Sequence, residues 1–180
     1  MLVDTHCHLS DDKFAPDRAE VVAAARTAGV HHIVVVADSV EAAKRSVAVS
    51  AELGLSATAG VHPHVAGSWS AEARSIVLDL LDRDEVVAVG EIGLDYHYDF
   101  SPRDRQRKAF EDQLRMAAER NIPAVVHARE ADADMADMIR AAGATVVMHS
   151  FSAGDSVLEA ALDAGHYVSF SGMTAQVASA

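Results

Sequence analysis

Short apolar runs recur along this chain, and a helix-length, more polar stretch separates most of them from the next. The runs are Leu2–Thr5, Ile33–Val36, Leu55–Val61, Val86–Val89, Ala124–Val126, Thr145–Met148 and Tyr167–Phe170. They are rich in Val and Ile and mostly lack polar alternation, the pattern of strands buried on both faces. Pro16 stands near the start of a first helical stretch that runs to Ala28, with Gly29 as its stop. Phe110, Leu114, Ala117 and Ala118 share one face of a later helix. Gly143 and Gly165 follow later helices as C-caps. Alternation of strand and helix requires a parallel sheet with helical crossovers. Periodicity leaves two arrangements open, a doubly wound sheet and a closed barrel. No linker or low-complexity segment interrupts the pattern, so residues 1–180 are expected to form one domain.

Composition narrows the setting. No apolar run reaches the roughly 18 residues of a membrane span. Met1–Leu9 has neither the basic nor the apolar region of a signal peptide. Cys7 is the single cysteine and cannot form an internal disulfide. A cytoplasmic location without a membrane partner is the expectation. The formal charge of −12 argues against a broad basic surface for long duplex DNA. Short nucleic acids stay open, because bound divalent cations would supply positive charge where a phosphate sits.

Ten histidines stand beside three lysines, and their positions sort them. In parallel α/β folds the chemistry gathers at the C-terminal ends of the strands. His31, His32 and His166 precede strands and read as structural or solvated. His6, His8, His62, His64, His127 and His149 lie at strand exits, and His97 follows the fourth strand near Glu91, Asp95 and Asp99. In His6-Cys7-His8, the period of two in a strand aims both imidazoles to one side and Cys7 to the other. Two neutral imidazoles can share a cation. Glu91 either caps a helix or forms a salt bridge, or its carboxylate spans two metals roughly 3.5–4 Å apart. The three lysines, Lys13, Lys44 and Lys108, fall outside the expected strands, so a carboxylate is the available bridge. His127 and His149 each read alone as either a buried structural histidine or a ligand. As exits of the fifth and sixth strands they would face the same cavity.

Six segments in order carry a resemblance. They are Asp4-Thr5-His6-Cys7-His8-Leu9, Gly60-Val61-His62-Pro63-His64, Gly90-Glu91-Ile92-Gly93-Leu94-Asp95-Tyr96, Pro123-Ala124-Val125-Val126-His127-Ala128-Arg129, Met148-His149-Ser150-Phe151-Ser152 and Ser169-Phe170-Ser171-Gly172. Together they resemble the successive motifs of the TatD family of metal-dependent deoxyribonucleases, and Gln106, Phe110, Gln113 and Leu114 fit that family's helix after the glutamate strand. The resemblance implies an α/β fold of the TIM-type (β/α) barrel kind, two divalent metal ions (Mg, Mn or Zn) and hydrolysis of DNA phosphodiesters, with short or single-stranded DNA as substrate. It implies that His6, His8 and Glu91 hold one metal and that Glu91, His127 and His149 hold the other. His62, His64, Asp95 and Arg129 would line the substrate pocket. Arg129 would contact phosphate or pair with Glu130 or Asp132. Arg103, Arg105, Arg107 and Lys108 would touch a phosphate backbone or form a solvated helix face.

Family members continue into an eighth strand with a Glu-Thr-Asp motif, whose aspartate binds metal and orients the attacking water. Ala180 follows the seventh run, so an incomplete barrel of about seven of eight strands is expected, with that catalytic aspartate beyond the chain's end. Edge strands beside a gap would be wetted, and losing about 300 Å² of apolar burial costs roughly 7 kcal/mol. The chain is therefore expected to be marginal and impaired alone, unless it self-associates or meets a complementing C-terminal fragment. Two other readings remain. One is ester or amide hydrolysis on the same metals, such as D-aminoacyl-tRNA deacylation. The other is a noncatalytic fragment or metal-binding interaction module.

Overall fold

The computed structural model describes residues 1–171, so Gly172 of the last motif lies outside the described residues. Strands β1 (Leu2–Cys7), β2 (Val30–Val35), β3 (Ser56–Ala59), β4 (Val86–Asp95), β5 (Ala124–Arg129), β6 (Val146–Met148) and β7 (Tyr167–Val168) form one sheet. They lie side by side in chain order, each parallel to its neighbour. A doubly wound sheet would reverse its strand order partway. Sequential order without reversal makes this a curled half-barrel of β/α units instead.

Helices α1 (Arg18–Thr27), α2 (Val40–Leu53), α3 (Ala71–Leu81), α4 (Arg103–Arg120), α5 (Asp132–Arg140) and α6 (Asp155–Asp163) link the strands. The Ser39 and Ser70 side chains accept the Ala42 and Ala73 N–H groups at 3.3 and 3.1 Å, which satisfies free donors at the starts of α2 and α3. Asn121, left-handed at φ 53°, ends α4. Ala117 and Phe110 of α4 are buried, while Ala118 is only half-buried. Gly165 is left-handed at φ 71° and follows α6 as expected, whereas Gly143 does not adopt a left-handed conformation. Gly143 serves close packing: a Cβ there would lie 3.2 Å from that of Ala118.

The main core lies between the sheet and helices α2 to α6, around Val89, Ile92, Leu94, Phe110, Met116, Val126, Met135 and Met148. A smaller cluster, with Leu9, Val22, Ile33, Val35, Val49 and Leu55, sits under α1 and α2. The inner, concave side is different. A cavity of about 220 Å³ there is lined by Thr5, His6, Val34, Val125, Val147 and His149, among others.

This asymmetry explains where the strand boundaries depart from expectation. β4 runs six residues beyond Val89, so Glu91 is in mid-strand and not at its end. Past Gly90 the strand alternates, with Ile92 and Leu94 packed in the outer core. Glu91, Gly93 and Asp95 therefore face the concave side. Alternation returns where one face stops packing and starts lining a site. β2 begins at Val30, so His31 and His32 lie within its first half and do not precede it. Both are exposed, and His32 Nε2 lies 2.8 Å from Ser56 Oγ.

Candidate metal centre

Strand parity brings the side chains together. Val125 and His127 share a face of β5, and Val147 and His149 share a face continuing from β6. Val125, Val147 and His149 line the concave cavity. His6 enters the same space from β1, and its ring stacks on that of His149 at 3.3 Å between centroids. Cys7 turns the other way, packs against the small core and lies 3.6 Å from Val34 O. Burial, aided by Asp4, pushes the Cys7 thiol up to about 11.

Close approach of β4 and β5 shapes the centre. A Cβ on Gly93 would stand 2.0 Å from the His127 carbonyl oxygen, and φ is 135° there, so glycine alone fits. This lets the His127 ring sit between two carboxylates of one strand face. Its Nδ1 is 3.3 Å from Glu91 Oε1, and its Nε2 is 3.0 Å from Asp95 Oδ2. Asp95 Oδ2 also meets His64 Nε2 at 2.8 Å. Glu91 reaches in the other direction through Oε2, 3.3 Å from His6 Nε2, and its Oε1 is 3.8 Å from His62 Nε2.

Two groups of donors result. His6, His8 and Glu91 form one, and His62, His64 and His127 the other; within each, the ligand atoms lie within 4.8 Å of one another. The two Glu91 oxygens face one group each. The family resemblance implies that His149 joins Glu91 and His127; here its ring stacks on His6.

The electrostatics suit cation binding. Burial favours the neutral form of Glu91, but the adjoining His127 and His6 imidazoles outweigh it and hold the carboxyl well below its ordinary range. Asp95 is also opposed by burial, yet the Tyr98 N–H with His64 and His127 brings it to about 2. Burial lowers His62 to about 3 and, with His6 close by, His149 to about 4. Both imidazoles are thus held neutral, and His62 Nδ1 accepts the His64 N–H at 3.2 Å. His127 is raised: burial opposes its charge, but Glu91 and Asp95 prevail.

The donor set fits a divalent metal, and His6 supplies a direct test. Both its ring nitrogens are buried, neither makes a hydrogen bond of good geometry, and Nε2 has only the 3.3 Å contact with Glu91 Oε2. Buried polar atoms are nearly always partnered, and an ion is one way to meet the need.

Two glutamines of α4, matched above only by resemblance, prove to hold strand exits in place. Gln113 Oε1 accepts the Val61 N–H at 2.8 Å, and its Nε2 donates to Val61 O at 3.1 Å, directly before His62. Gln106 Oε1 accepts the Asp95 N–H at 2.8 Å, and its Nε2 donates to Asp95 O at 3.0 Å. Both are fully buried. Buried amides on a helix facing a sheet are the sequence signal for this.

Arg129 makes neither of the ion pairs considered. Glu130 pairs with His97 at 2.7 Å, and Asp132 accepts the Gly154 N–H. The Arg129 guanidinium lies over the Tyr98 ring at 4.9 Å. In the basic run of α4, Arg103 pairs with Asp99 and Arg107 with Asp134, while all four of these basic side chains are exposed. His166 is structural: buried, its Nδ1 accepts the Val146 N–H and its Nε2 lies 2.9 Å from Ile139 O.

Parallel β/α units curled into an arc, with imidazoles and a buried carboxylate meeting on the concave side, define the class of barrel-type metal-dependent hydrolases. The chain belongs to the TatD related DNase family, whose model matches residues 3–179. It is 38% identical over 178 residues to the 3'-5' ssDNA/RNA exonuclease TatD of Pantoea vagans, covering 95% of this chain and 68% of that protein. It is 35% identical over 176 residues to the uncharacterized metal-dependent hydrolase YabD of Bacillus subtilis, covering 96% of this chain and 69% of that one. The crystal structure of the TatD homologue YjjV from Escherichia coli superposes with a TM-score of 0.84 at 31% identity, over 93% of this chain and 66% of that one. This chain thus spans about two thirds of the length of these relatives. No helix among the described residues is long and apolar enough to cross a membrane.

Proposed function

We propose that residues 1–180 form one metal-dependent hydrolase domain that cleaves phosphodiester bonds of short or single-stranded DNA. The observation that carries the reading is Glu91, whose two oxygens face two separate groups of imidazoles. A bridging carboxylate between two cations is the arrangement of two-metal hydrolases. The exonuclease named TatD supports the choice of substrate. The family name and the metal-dependent hydrolase of Bacillus subtilis support the choice of chemistry.

In this reading His6, His8 and Glu91 hold one divalent ion. Glu91 and His127 hold the second with His149, and His62 and His64 border it in the substrate pocket. The ions are Mg, Mn or Zn; the imidazole donors suit Zn, and the carboxylate suits Mg and Mn. When bound, such a pair acidifies water and clamps phosphoryl oxygens. The protein's own part is to keep Glu91 charged, to keep His62 and His149 neutral, and to hold His64 and His127 through Asp95. Arg129 offers a cation at the pocket's rim. The place of action is proposed to be the cytoplasm.

The test is hydrolysis of a labelled single-stranded oligonucleotide with Mg²⁺, Mn²⁺ or Zn²⁺. Glu91→Ala should lower the rate by on the order of a hundredfold or more. Retained activity in that variant would place the chemistry elsewhere. Metal added at about a hundred times its Kd should stabilise the fold by about 2.7 kcal/mol, or about 5–10 °C in Tm. Cleavage of aminoacyl esters but not oligonucleotides would favour deacylation. Metal uptake without any turnover would favour a binding module.

A further inference from the structure

Beside the centre, the loop between β4 and α4 presents two aromatic rings to solvent. Phe100 is 66% exposed and Tyr98 47% exposed. Their rings are nearly parallel, 15° apart, with centroids 5.2 Å from each other. Side chains of this size are normally placed where they bury apolar area.

The loop carrying them is built, not loose. Asp95 Oδ1 accepts the N–H groups of His97 and Tyr98 at 3.1 and 2.9 Å. Ser101, just after Phe100, donates from its hydroxyl to His64 O at 2.9 Å and accepts the Gly67 N–H at 3.0 Å. Gln106 Nε2 donates to Ser101 O at 2.8 Å. Both ends of the loop are therefore tied to buried groups, and the rings are held in position before any ligand arrives.

The platform adjoins the imidazoles. The His64 ring meets Phe100 edge-on at 4.9 Å and Tyr98 edge-on at 5.5 Å. Arg129 lies over Tyr98 at 4.9 Å. We propose that Tyr98 and Phe100 form a stacking platform that holds a nucleobase of single-stranded nucleic acid beside His62, His64 and His127. The proposal rests on the phosphodiesterase reading of the same centre and names how its substrate is held.

Charge strengthens it. With 15 Lys and Arg against 27 Asp and Glu, the chain has no excess of cations with which to attract a polyanion. Stacking does not depend on net charge, and every base has a π-face. Only single-stranded nucleic acid exposes that face. The platform thus selects single strands over duplex and tolerates any sequence.

The experiment measures binding apart from hydrolysis. A short 5′-labelled oligothymidylate and an abasic analogue of equal length are titrated, in EDTA and at low salt, against the natural protein, Phe100→Ala and Phe100→Trp, with anisotropy as readout. Phe100→Ala should weaken binding of the oligothymidylate between about fivefold and about a hundredfold, and Phe100→Trp should restore it. The abasic analogue should bind weakly to all three proteins. With metal present, Phe100→Ala should raise KM and leave kcat within about twofold. Equal binding by natural protein and Phe100→Ala, equal binding of both oligonucleotides, or no binding at all overturns the platform. Base-dependent binding without any metal-dependent cleavage would instead overturn the hydrolase reading and leave the platform standing.

Discussion

The middle of the sheet and its first strand are built to different standards. In β4, every residue but Val87 is buried, and helices α3 and α4 pack against the strand. In β1, Leu2 is 61% exposed and Val3 49% exposed, and pairing with β2 is irregular in two places. The candidate centre nevertheless draws its donor side chains from both. Glu91 comes from the buried middle and His127 from its neighbour β5, while His6 and His8 come from the exposed flank. The middle supplies stiffness, because every displacement there disturbs packed neighbours. The flank can open locally at lower cost. A bound cation shared by His6, His8 and Glu91 would tie the two regions together, and this links metal binding to the stability of β1.

The contrast can be broken most severely at Gly93. Gly93→Ala puts a Cβ against the His127 carbonyl and should destabilise the protein by about 4 kcal/mol or more, measured by urea unfolding. A variant of ordinary stability would mean β4 and β5 can separate freely. Next comes Gln113→Leu, which strands the Val61 N–H and C=O in the core. About 3 kcal/mol should be lost, and a loss under about 1 kcal/mol would show that water replaces the amide.

Acid should act third. His62 and His149 fold with pKa values of about 3 and about 4, below the unfolded value of about 6.5. The unfolded chain therefore takes up protons first, and the metal-free protein should lose stability as pH falls below about 6.5. His127, raised on folding, contributes fully below that pH and does not reverse the trend. His62 alone should remove about 2 kcal/mol by pH 5, and the more exposed His149 a smaller amount; a flat profile would mean the two imidazoles are hydrated. The smallest effect belongs to the flank: Leu2→Ser should change stability by no more than about 0.5 kcal/mol. A larger loss would show that β1 is covered in solution. Hydrogen exchange sharpens the same comparison, with β1 amides expected to exchange before those of β4.

Much of the centre was legible from position alone. His6, His8, Glu91, His127 and His149 were expected on one rim, and all five side chains point into one region. The alternation of strand and helix was equally plain, since it is a local property of the chain. Less was legible at Glu91 itself. Gly90 and the charge after it read as a strand end, although β4 continues to Asp95. The fate of Arg129 was open for another reason: Tyr98, its neighbour in space, is 31 positions away in the chain.

The sequence by itself determined the order of elements, the parallel sheet and the residue types available to a cation, because strand period and side-chain chemistry are carried locally. Only the tertiary structure decided which imidazoles meet, that His127 lies between Glu91 and Asp95, and that Tyr98 and Phe100 stand beside His64. Those outcomes depend on inter-strand spacing, on a glycine that lets two backbones approach, and on a loop tied at both ends. Such distances between residues far apart in the chain are set by packing, which no local pattern encodes.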